Sequence, residues 1–234
     1  MKWCVLSFRV DVMKIFTYIK ENSERVESKN FRNFGNLPLW EYSISKFKDY
    51  PVYIDTDSET VLDGCRNYEN VTAYPRDTKF IDMENDPTNK ESPALLMTEN
   101  FVQRFTEPEE TVVITHVTSP FLEIETLENA VSYLDRGYDY VHSVMKIQDF
   151  AWNENYEALN FNPKVVQRTQ DLNPFYFSLG AFFCFKSKTF MESKNRIGKN
   201  TYYYELDKTQ SIDIDNEDDM ILAQTICKGR NEYN

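Results

Sequence analysis

One polar stretch runs Lys20-Glu21-Asn22-Ser23-Glu24-Arg25-Val26-Glu27-Ser28-Lys29-Asn30-Phe31-Arg32 and separates two patterned segments. The run before it, residues 15–19, is rich in β-branched and aromatic residues, which predicts a first strand. Pro38, after it, opens a helical pattern of apolar residues. We therefore expect the polar stretch to be the loop at the carboxyl end of the first strand, where open α/β sheets bind ligands.

The charge of this loop favours an anionic ligand. It carries four cations, in a chain whose formal net charge is -12: Lys20, Arg25, Lys29 and Arg32. Positive charge on a strand-to-helix connection suits a phosphate chain. A solvated surface loop is the alternative interpretation. The loop lacks a glycine-rich cradle, so neither a P-loop nor a dinucleotide fingerprint applies.

A second informative stretch, Ser211-Ile212-Asp213-Ile214-Asp215, lies near the other end of the chain. Alternation in an extended segment places Asp213 and Asp215 on one face and the two isoleucines on the other. Two neighbouring carboxylates repel each other and need a cation, which indicates a hard divalent ion such as Mg²⁺. The alternative is an acidic helix start, in which Asp215 caps a helix over 217–227.

Composition narrows the class of protein. The 234 residues, 41% of them hydrophobic, suit one sizeable domain with a small insertion. The acidic balance argues against nucleic acid as a partner. The apolar run over 3–8 is too short for a membrane span, so we expect no membrane association. The cysteines form no C-x-x-C pair, which predicts reduced thiols and a cytoplasmic location rather than zinc or disulfides: Cys4, Cys65, Cys184 and Cys227.

Patterning along the chain predicts an α/β fold, with a Rossmann-like, mostly parallel sheet flanked by helices. Residues 1–12 are expected to be an N-terminal extension. Strands are predicted at 52–54, 71–74, 111–115, 140–144, 179–185 and 201–206; helices at 38–47, 58–68, 92–105 and 124–134; and a long polar loop from 75 to about 90. The pattern breaks over 145–177, which suggests an arm of two or three strands inserted between core segments 13–144 and 178–230.

Six motifs then occur in an order that resembles the acylneuraminate cytidylyltransferase family, from about residue 13 to residue 228. They are Asn22-Ser23-Glu24-Arg25-Val26 with Lys29-Asn30, Gly35 with Pro38-Leu39, Asp55-Thr56-Asp57-Ser58, Thr118-Ser119-Pro120, Gly180-Ala181-Phe182, and the segment 211–215 with Glu217 and Asp219. The resemblance implies a nucleotide-diphospho-sugar transferase-like fold. It also implies transfer of CMP from CTP to a 2-keto sugar acid of the sialic, legionaminic or pseudaminic type, with Mg²⁺ as cofactor and a homodimer formed through the 145–177 arm.

The resemblance also implies roles for individual residues. Catalysis would fall to Lys29, Asp213 and Asp215, of which Asp213 and Asp215 would be the metal ligands. The nucleotide would be bound by Lys20, Asn22, Ser23, Arg25, Lys29, Asn30 and Arg76. The sugar acid would be bound by His116, Thr118, Arg168 and Gln170, with Arg168 on its carboxylate.

Some positions depart from the family pattern. Lys20 stands where the family usually has Arg, His116 where it has Gln, and Leu122 where a basic residue is common; Arg76 is one position out of register. The same chemistry on the eight-carbon acid of lipopolysaccharide therefore stays open. So does a catalytically weak paralogue that binds nucleotide without turnover.

Overall fold

The computed structural model describes residues 13–23 and 25–232 of the chain. The predicted extension over residues 1–12 lies outside the described residues.

The fold is built on a seven-stranded sheet in the order β5-β4-β1-β6-β8-β7-β9. β8 runs antiparallel to its neighbours β6 and β7, and the remaining neighbouring pairs of this sheet are parallel, which confirms the predicted mostly parallel α/β fold. The strands are β1 (Lys14–Ile19), β2 (Asn33–Phe34), β3 (Leu37–Pro38), β4 (Val52–Thr56), β5 (Val71–Pro75), β6 (Thr111–Thr115), β7 (Tyr140–Ile147), β8 (Phe175–Lys186) and β9 (Thr201–Glu205); β2 and β3 form a small separate hairpin.

The helices flank the sheet. Four of them lie where the sequence pattern predicted them, and a fifth begins at Glu217, where the alternative interpretation of the acidic segment placed a helix. The helices are α1 (Leu39–Ser45), α2 (Glu59–Cys65), α3 (Thr78–Asn85), α4 (Ala94–Phe105), α5 (Ile124–Asp135), α6 (Ser187–Ser193) and α7 (Glu217–Glu232). The sequence patterns predicted neither α3 nor α6.

The prediction of one long polar loop over 75–90 is wrong, because α3 occupies its centre. Asp77 caps this helix by accepting a hydrogen bond from the backbone N–H of Lys79 at 3.0 Å. Phe80 is the buried side chain that holds α3 on the sheet, and its other residues are mostly polar. A helix with so narrow an apolar face has little of the periodicity that patterns detect.

Two apolar layers pack on opposite faces of the sheet, as the alternation along β1 shows. Ile15 and Ile19 belong to the layer that contains Trp40, whereas Phe16 lies in the other and stacks on Phe101 at 4.4 Å between ring centroids. Burial of both faces is what a mostly parallel sheet requires. The two apolar layers hold β1 and β6 in place as neighbours, so that their carboxyl ends lie at the same edge of the sheet.

The inserted segment begins as a continuation of the sheet. β7 and β8 stay paired from Val144 opposite Ser178 to Ile147 opposite Phe175. Beyond them, the described segment 148–174 is mostly irregular, with one isolated bridge between Trp152 and Ala158 and a short 3-10 turn at Thr169–Asp171. The segment thus projects from the sheet as a hairpin-based arm. Among the described residues, no helix is long and apolar enough to cross a membrane.

Two glycines in helices provide a test of this packing. A Cβ on Gly64 would lie 2.8 Å from Cη2 of Trp40, a core side chain that is 3% exposed, whereas a Cβ on Gly229 would meet no atom within 4 Å. We expect Gly64→Ala to lower the free energy of unfolding by about 1–3 kcal/mol through overpacking. Gly229→Ala should raise it by about 0.5–1 kcal/mol, because alanine is the better helix former.

Denaturant unfolding of the two variants beside the unmodified chain measures both effects. Equal effects of the two substitutions would contradict the described packing of α2 on Trp40.

Candidate active site

The loop 20–32 is anchored by one apolar and two polar contacts. Val26 is fully buried in a cluster with Phe34 and Ile214. The Lys29 ammonium donates a hydrogen bond to the backbone carbonyl of Ile214 at 2.6 Å, and the side-chain amide of Asn30 donates to the carbonyl of Lys20 at 2.8 Å. The loop is therefore a fixed wall attached to the acidic segment, and the alternative of a solvated surface loop does not describe it.

The acidic segment is held from its other side by the turn after β6. The backbone N–H of Ile214 donates to the carbonyl of Thr118 at 2.9 Å, and the Ile214 side chain is fully buried. With Ile214 directed into the apolar cluster, the flanking Asp213 and Asp215 both line the cavity. Arg25 reaches Asp215 from the loop, with 3.0 Å between the guanidinium and carboxylate atoms.

The helix that follows is capped by other residues than Asp215. Asn216 accepts a hydrogen bond from the backbone N–H of Asp219 at 3.0 Å, while the Asp219 carboxylate accepts from the N–H groups of Asp215 and Asn216 at 2.9 and 3.0 Å. This reciprocal arrangement satisfies the first turn of α7. The alternative in which Asp215 caps the helix is wrong, and its carboxylate is left to the cavity.

These elements enclose a cavity of about 450 Å³ at the carboxyl edge of the sheet. Its volume lies in the range of small-molecule sites. Of the predicted site residues, it is lined by Lys20, Asn22, Ser23, Arg25, Lys29, Asn30, His116, Thr118, Asp213 and Asp215. Tyr18, Glu84, Val117, Gly180 and Arg196 complete the lining.

Arg76 is a predicted nucleotide ligand that does not line this cavity. Its side chain is fully buried, with Nε 2.7 Å from an Asp55 carboxylate oxygen and Nη1 2.9 Å from a Glu84 oxygen. A buried guanidinium must be paired in this way, since an unpaired buried charge is very costly. The structure thus gives Arg76 a supporting position beneath Glu84, which does line the cavity.

Arg168 and Gln170, the predicted ligands of the sugar acid on the arm, also lie away from this cavity. Arg168 is exposed and pairs with Asp171, with Nε 2.7 Å from a carboxylate oxygen. Gln170 contributes its backbone carbonyl to the Gln148 side chain at 3.0 Å. Both lie on the projecting segment rather than at the sheet edge of their own chain.

The charges of the cavity are only partly balanced. Burial lowers the pKa of the Lys29 ammonium, while the carboxylates of Asp215 and Asp213 oppose that shift. Burial raises the pKa of the Asp213 carboxyl; the nearby Asp215 carboxylate adds to the rise, and Lys29 and Arg25 oppose it. A further cation would thus stabilise the ionised forms of the two carboxyl groups.

A divalent ion fits this donor set. One oxygen of Asp213, Oδ1, is buried without a hydrogen-bond partner, so a bound cation could satisfy it. Among the described residues, no group of three or more His, Cys, Asp or Glu side chains could hold a metal by itself. Two carboxylates with substrate oxygens and water are nevertheless the usual surroundings of Mg²⁺.

His116 forms the base of the cavity next to Tyr18. Its Nε2 lies 3.3 Å from the Tyr18 hydroxyl, and the two rings meet edge to face at 4.9 Å. Burial lowers the pKa of His116 to about 4, and the positive charges of Arg196 and Lys29 add to that effect. The imidazole is therefore neutral at physiological pH and can exchange hydrogen bonds without adding charge.

Sequence patterns missed Glu84 and Arg196 for different reasons. Glu84 lies on α3, and the cap at Asp77 followed by Phe80 and Met83 at helical spacing is the signal that could have revealed this helix. Arg196 lies in the connection after α6, in a stretch without periodicity or motif. No sequence signal marks it.

Known proteins resemble this chain in sequence. Residues 21–217 match a protein family described as Cytidylyltransferase. An N-acylneuraminate cytidylyltransferase of Streptococcus agalactiae serotype V is 22% identical over 215 residues, which cover 86% of this chain and 50% of that protein. A pseudaminic acid cytidylyltransferase of Campylobacter jejuni is 23% identical over 223 residues, which cover 90% of this chain and 94% of that protein. The chain thus spans about half the length of its streptococcal relative.

The fold has counterparts among solved structures. A CMP:2-keto-3-deoxy-manno-octonic acid synthetase complexed with CTP superposes with a TM-score of 0.65 at 10% identity, covering 93% of this chain and 99% of that one. The likeness shows a shared fold, and it confirms the predicted nucleotidyltransferase-like architecture.

The two histidines of the chain give a direct test of the buried environments described here. Burial lowers the pKa of both His116 and His142 to about 4, compared with about 6.5 for a free imidazole. We therefore expect NMR titration to show no histidine transition between about pH 5 and pH 8. As pH falls from about 6.5 towards 4, the two imidazoles take up protons in the unfolded chain but not in the folded chain. Protonation therefore favours the unfolded chain, and these two groups lower the free energy of unfolding over that range. Midpoints near 6.5 would place both rings in water.

Proposed function

We propose, because this chain belongs to the cytidylyltransferase family, that it transfers CMP from CTP to the anomeric hydroxyl of a 2-keto sugar acid and releases pyrophosphate. The supporting observation is the assembly of Lys29, Asp213 and Asp215 in one cavity. It combines an ammonium for the phosphates with two carboxylates for a divalent cation, as nucleotidyl transfer requires.

The proposed reaction breaks the phosphoanhydride linkage between the α- and β-phosphates of CTP and forms a phosphoester linkage to the sugar acid. The anomeric oxygen of the sugar acid attacks the α-phosphorus of CTP, the bond from that phosphorus to the bridging oxygen breaks, and the hydroxyl proton is lost to solvent. Negative charge accumulates on the transferred phosphate and on the departing pyrophosphate. The Lys29 ammonium, held in place by the Ile214 carbonyl, would stabilise this negative charge on the phosphates of CTP.

The cofactor of this proposal is Mg²⁺. Asp213 and Asp215 would hold the ion, which when bound supplies charge neutralisation on the phosphates. Arg25 is paired with Asp215 at 3.0 Å. Its side chain is largely exposed, so it would also be able to contact a bound triphosphate. Neutral His116, with Thr118, would exchange hydrogen bonds with the sugar acid.

A homodimer forms part of the proposal, because Arg168 and Gln170 lie on the projecting arm. The arm exposes large apolar side chains, among them Trp152, Tyr156 and Val166, and exposed apolar clusters favour association. A second copy would bring Arg168 to its neighbour's cavity, where a guanidinium fork suits a carboxylate. A cytoplasmic location is likewise proposed, in keeping with the unpaired buried thiols of Cys65, Cys184 and Cys227.

The sugar acid is proposed to be a nine-carbon acid of the sialic, legionaminic or pseudaminic type. The support is that the two relatives described above are named for acylneuraminate and for pseudaminic acid. The eight-carbon acid is the alternative substrate within the same reaction.

Pyrophosphate release by the purified chain with CTP, Mg²⁺ and a panel of eight- and nine-carbon 2-keto sugar acids tests the proposal. We expect release with one acid, and a loss of at least about 100-fold in Asp213→Asn and in Lys29→Gln, because each removes charge that the transition state requires. Asp218→Asn is the matched control, since Asp218 is an exposed acid in the first turn of α7 that does not line the cavity.

The control should keep full activity. Silence across the whole panel, or undiminished activity in Asp213→Asn, would contradict the proposed reaction. CTP binding without turnover would instead support the catalytically weak paralogue.

A further inference from the structure

Arg196 is a cavity cation to which neither the sequence motifs nor the proposed reaction gives a role. It lies three residues after α6, and the loop that carries it is locally fixed. The Asn195 side chain accepts hydrogen bonds from the backbone N–H groups of Arg196 and Ile197 at 2.8 and 3.3 Å. Ile197 packs against the apolar layer beside it. The arginine is therefore presented from a defined backbone position.

The Arg196 guanidinium rests on an aromatic floor. It lies 4.0 Å from the ring centroid of Phe183, and its Nη1 is 3.5 Å from the Tyr18 hydroxyl. A cation over an aromatic face is held in orientation without using its N–H groups. The contact to Tyr18 is at the outer limit of a hydrogen bond. The orientation of the side chain is thus fixed, while most of the five N–H donors of the guanidinium can still form hydrogen bonds to a ligand.

The other cations of the cavity have close partners. Arg25 pairs with Asp215 at 3.0 Å, Lys20 lies 3.5 Å from Glu84, and Lys29 is hydrogen-bonded to Ile214. Among residues 13–23 and 25–230, whose side chains the structure describes, no Asp or Glu forms an ion pair with Arg196. The chain has a formal net charge of -12, so acidic residues are plentiful. A partly buried arginine that nevertheless has no acidic partner can pair with a bound anion.

From these contacts we infer that Arg196 binds an oxyanion of one of the two substrates proposed for this cavity. The inference rests on the proposed function and extends it by one substrate-binding residue. A guanidinium fork matches the two oxygens of a carboxylate or of a phosphate, and the same donors serve either. The anion is therefore the carboxylate of the sugar acid or a phosphate of the nucleotide.

Calorimetric titration of the full chain separates these two sources. The ligands are CTP with Mg²⁺ and the sugar acid that supports most pyrophosphate release, each titrated into the unmodified chain and into Arg196→Met. We expect one of the two dissociation constants to rise about 10- to 100-fold, as the loss of a charged hydrogen-bonded contact predicts. A rise for the sugar acid alone identifies the carboxylate, and a rise for CTP alone identifies a phosphate.

Two further variants make the result specific. Arg196→Lys keeps the charge but loses the fork, so we expect a smaller loss of affinity for the same ligand; it also serves if Arg196→Met fails to fold. Lys194→Met is the matched control, because Lys194 is an exposed neighbour that pairs with Glu99 at 2.8 Å and does not line the cavity. The control should bind both ligands as the unmodified chain does.

Two outcomes would overturn the inference in distinguishable ways. If the unmodified chain binds both ligands and Arg196→Met binds them equally well, Arg196 has no part in recognition, while the proposed function stands. If the unmodified chain binds neither ligand, the proposed function fails and the inference falls with it.

Discussion

The site depends on one buried hydrogen bond, from the Lys29 ammonium to the Ile214 carbonyl, which joins residues 185 positions apart. A lysine that is 8% exposed must find acceptors inside the protein. The carbonyl supplies one, and the carboxylates of Asp213 and Asp215 supply the surrounding negative field. The same contact joins the loop that follows the first strand to the acidic segment before the last helix.

The charges that this contact brings together are left incomplete in a directed way. Asp213 keeps a buried oxygen without a hydrogen-bond partner, while Arg196, which lines the same cavity, lies over the Phe183 ring and has no acidic partner among the side chains that the structure describes. Such groups cost stability when left alone. A cation beside the carboxylates and an anion beside the arginine would satisfy both, which is the charge pattern of a metal-bound triphosphate and an acidic sugar.

The sequence predicted the fold well where periodicity was strong. β1, β4 and β6 lie where runs of apolar residues predicted them, and family motifs indicated the loop at Lys29 and the pair at Asp213. The failures have physical causes. α3 has too few apolar residues for a periodic pattern to be detected. The helix α7 is capped by Asn216 rather than Asp215, and because both residue types are good caps, the sequence alone does not distinguish these neighbours. Arg196 reaches the cavity through tertiary packing, which leaves no local signal.

We propose that Lys29 and Asp213 act as parts of one site rather than as independent charges. A double-mutant cycle measures this directly, using the dissociation constant for CTP in the presence of Mg²⁺ for the unmodified chain, Lys29→Met, Asp213→Asn and the double variant. Groups that share one ligand and one field should show a coupling energy of about 1–3 kcal/mol. Additive effects, to within about 0.5 kcal/mol, would contradict the account, because the two side chains would then serve different sites.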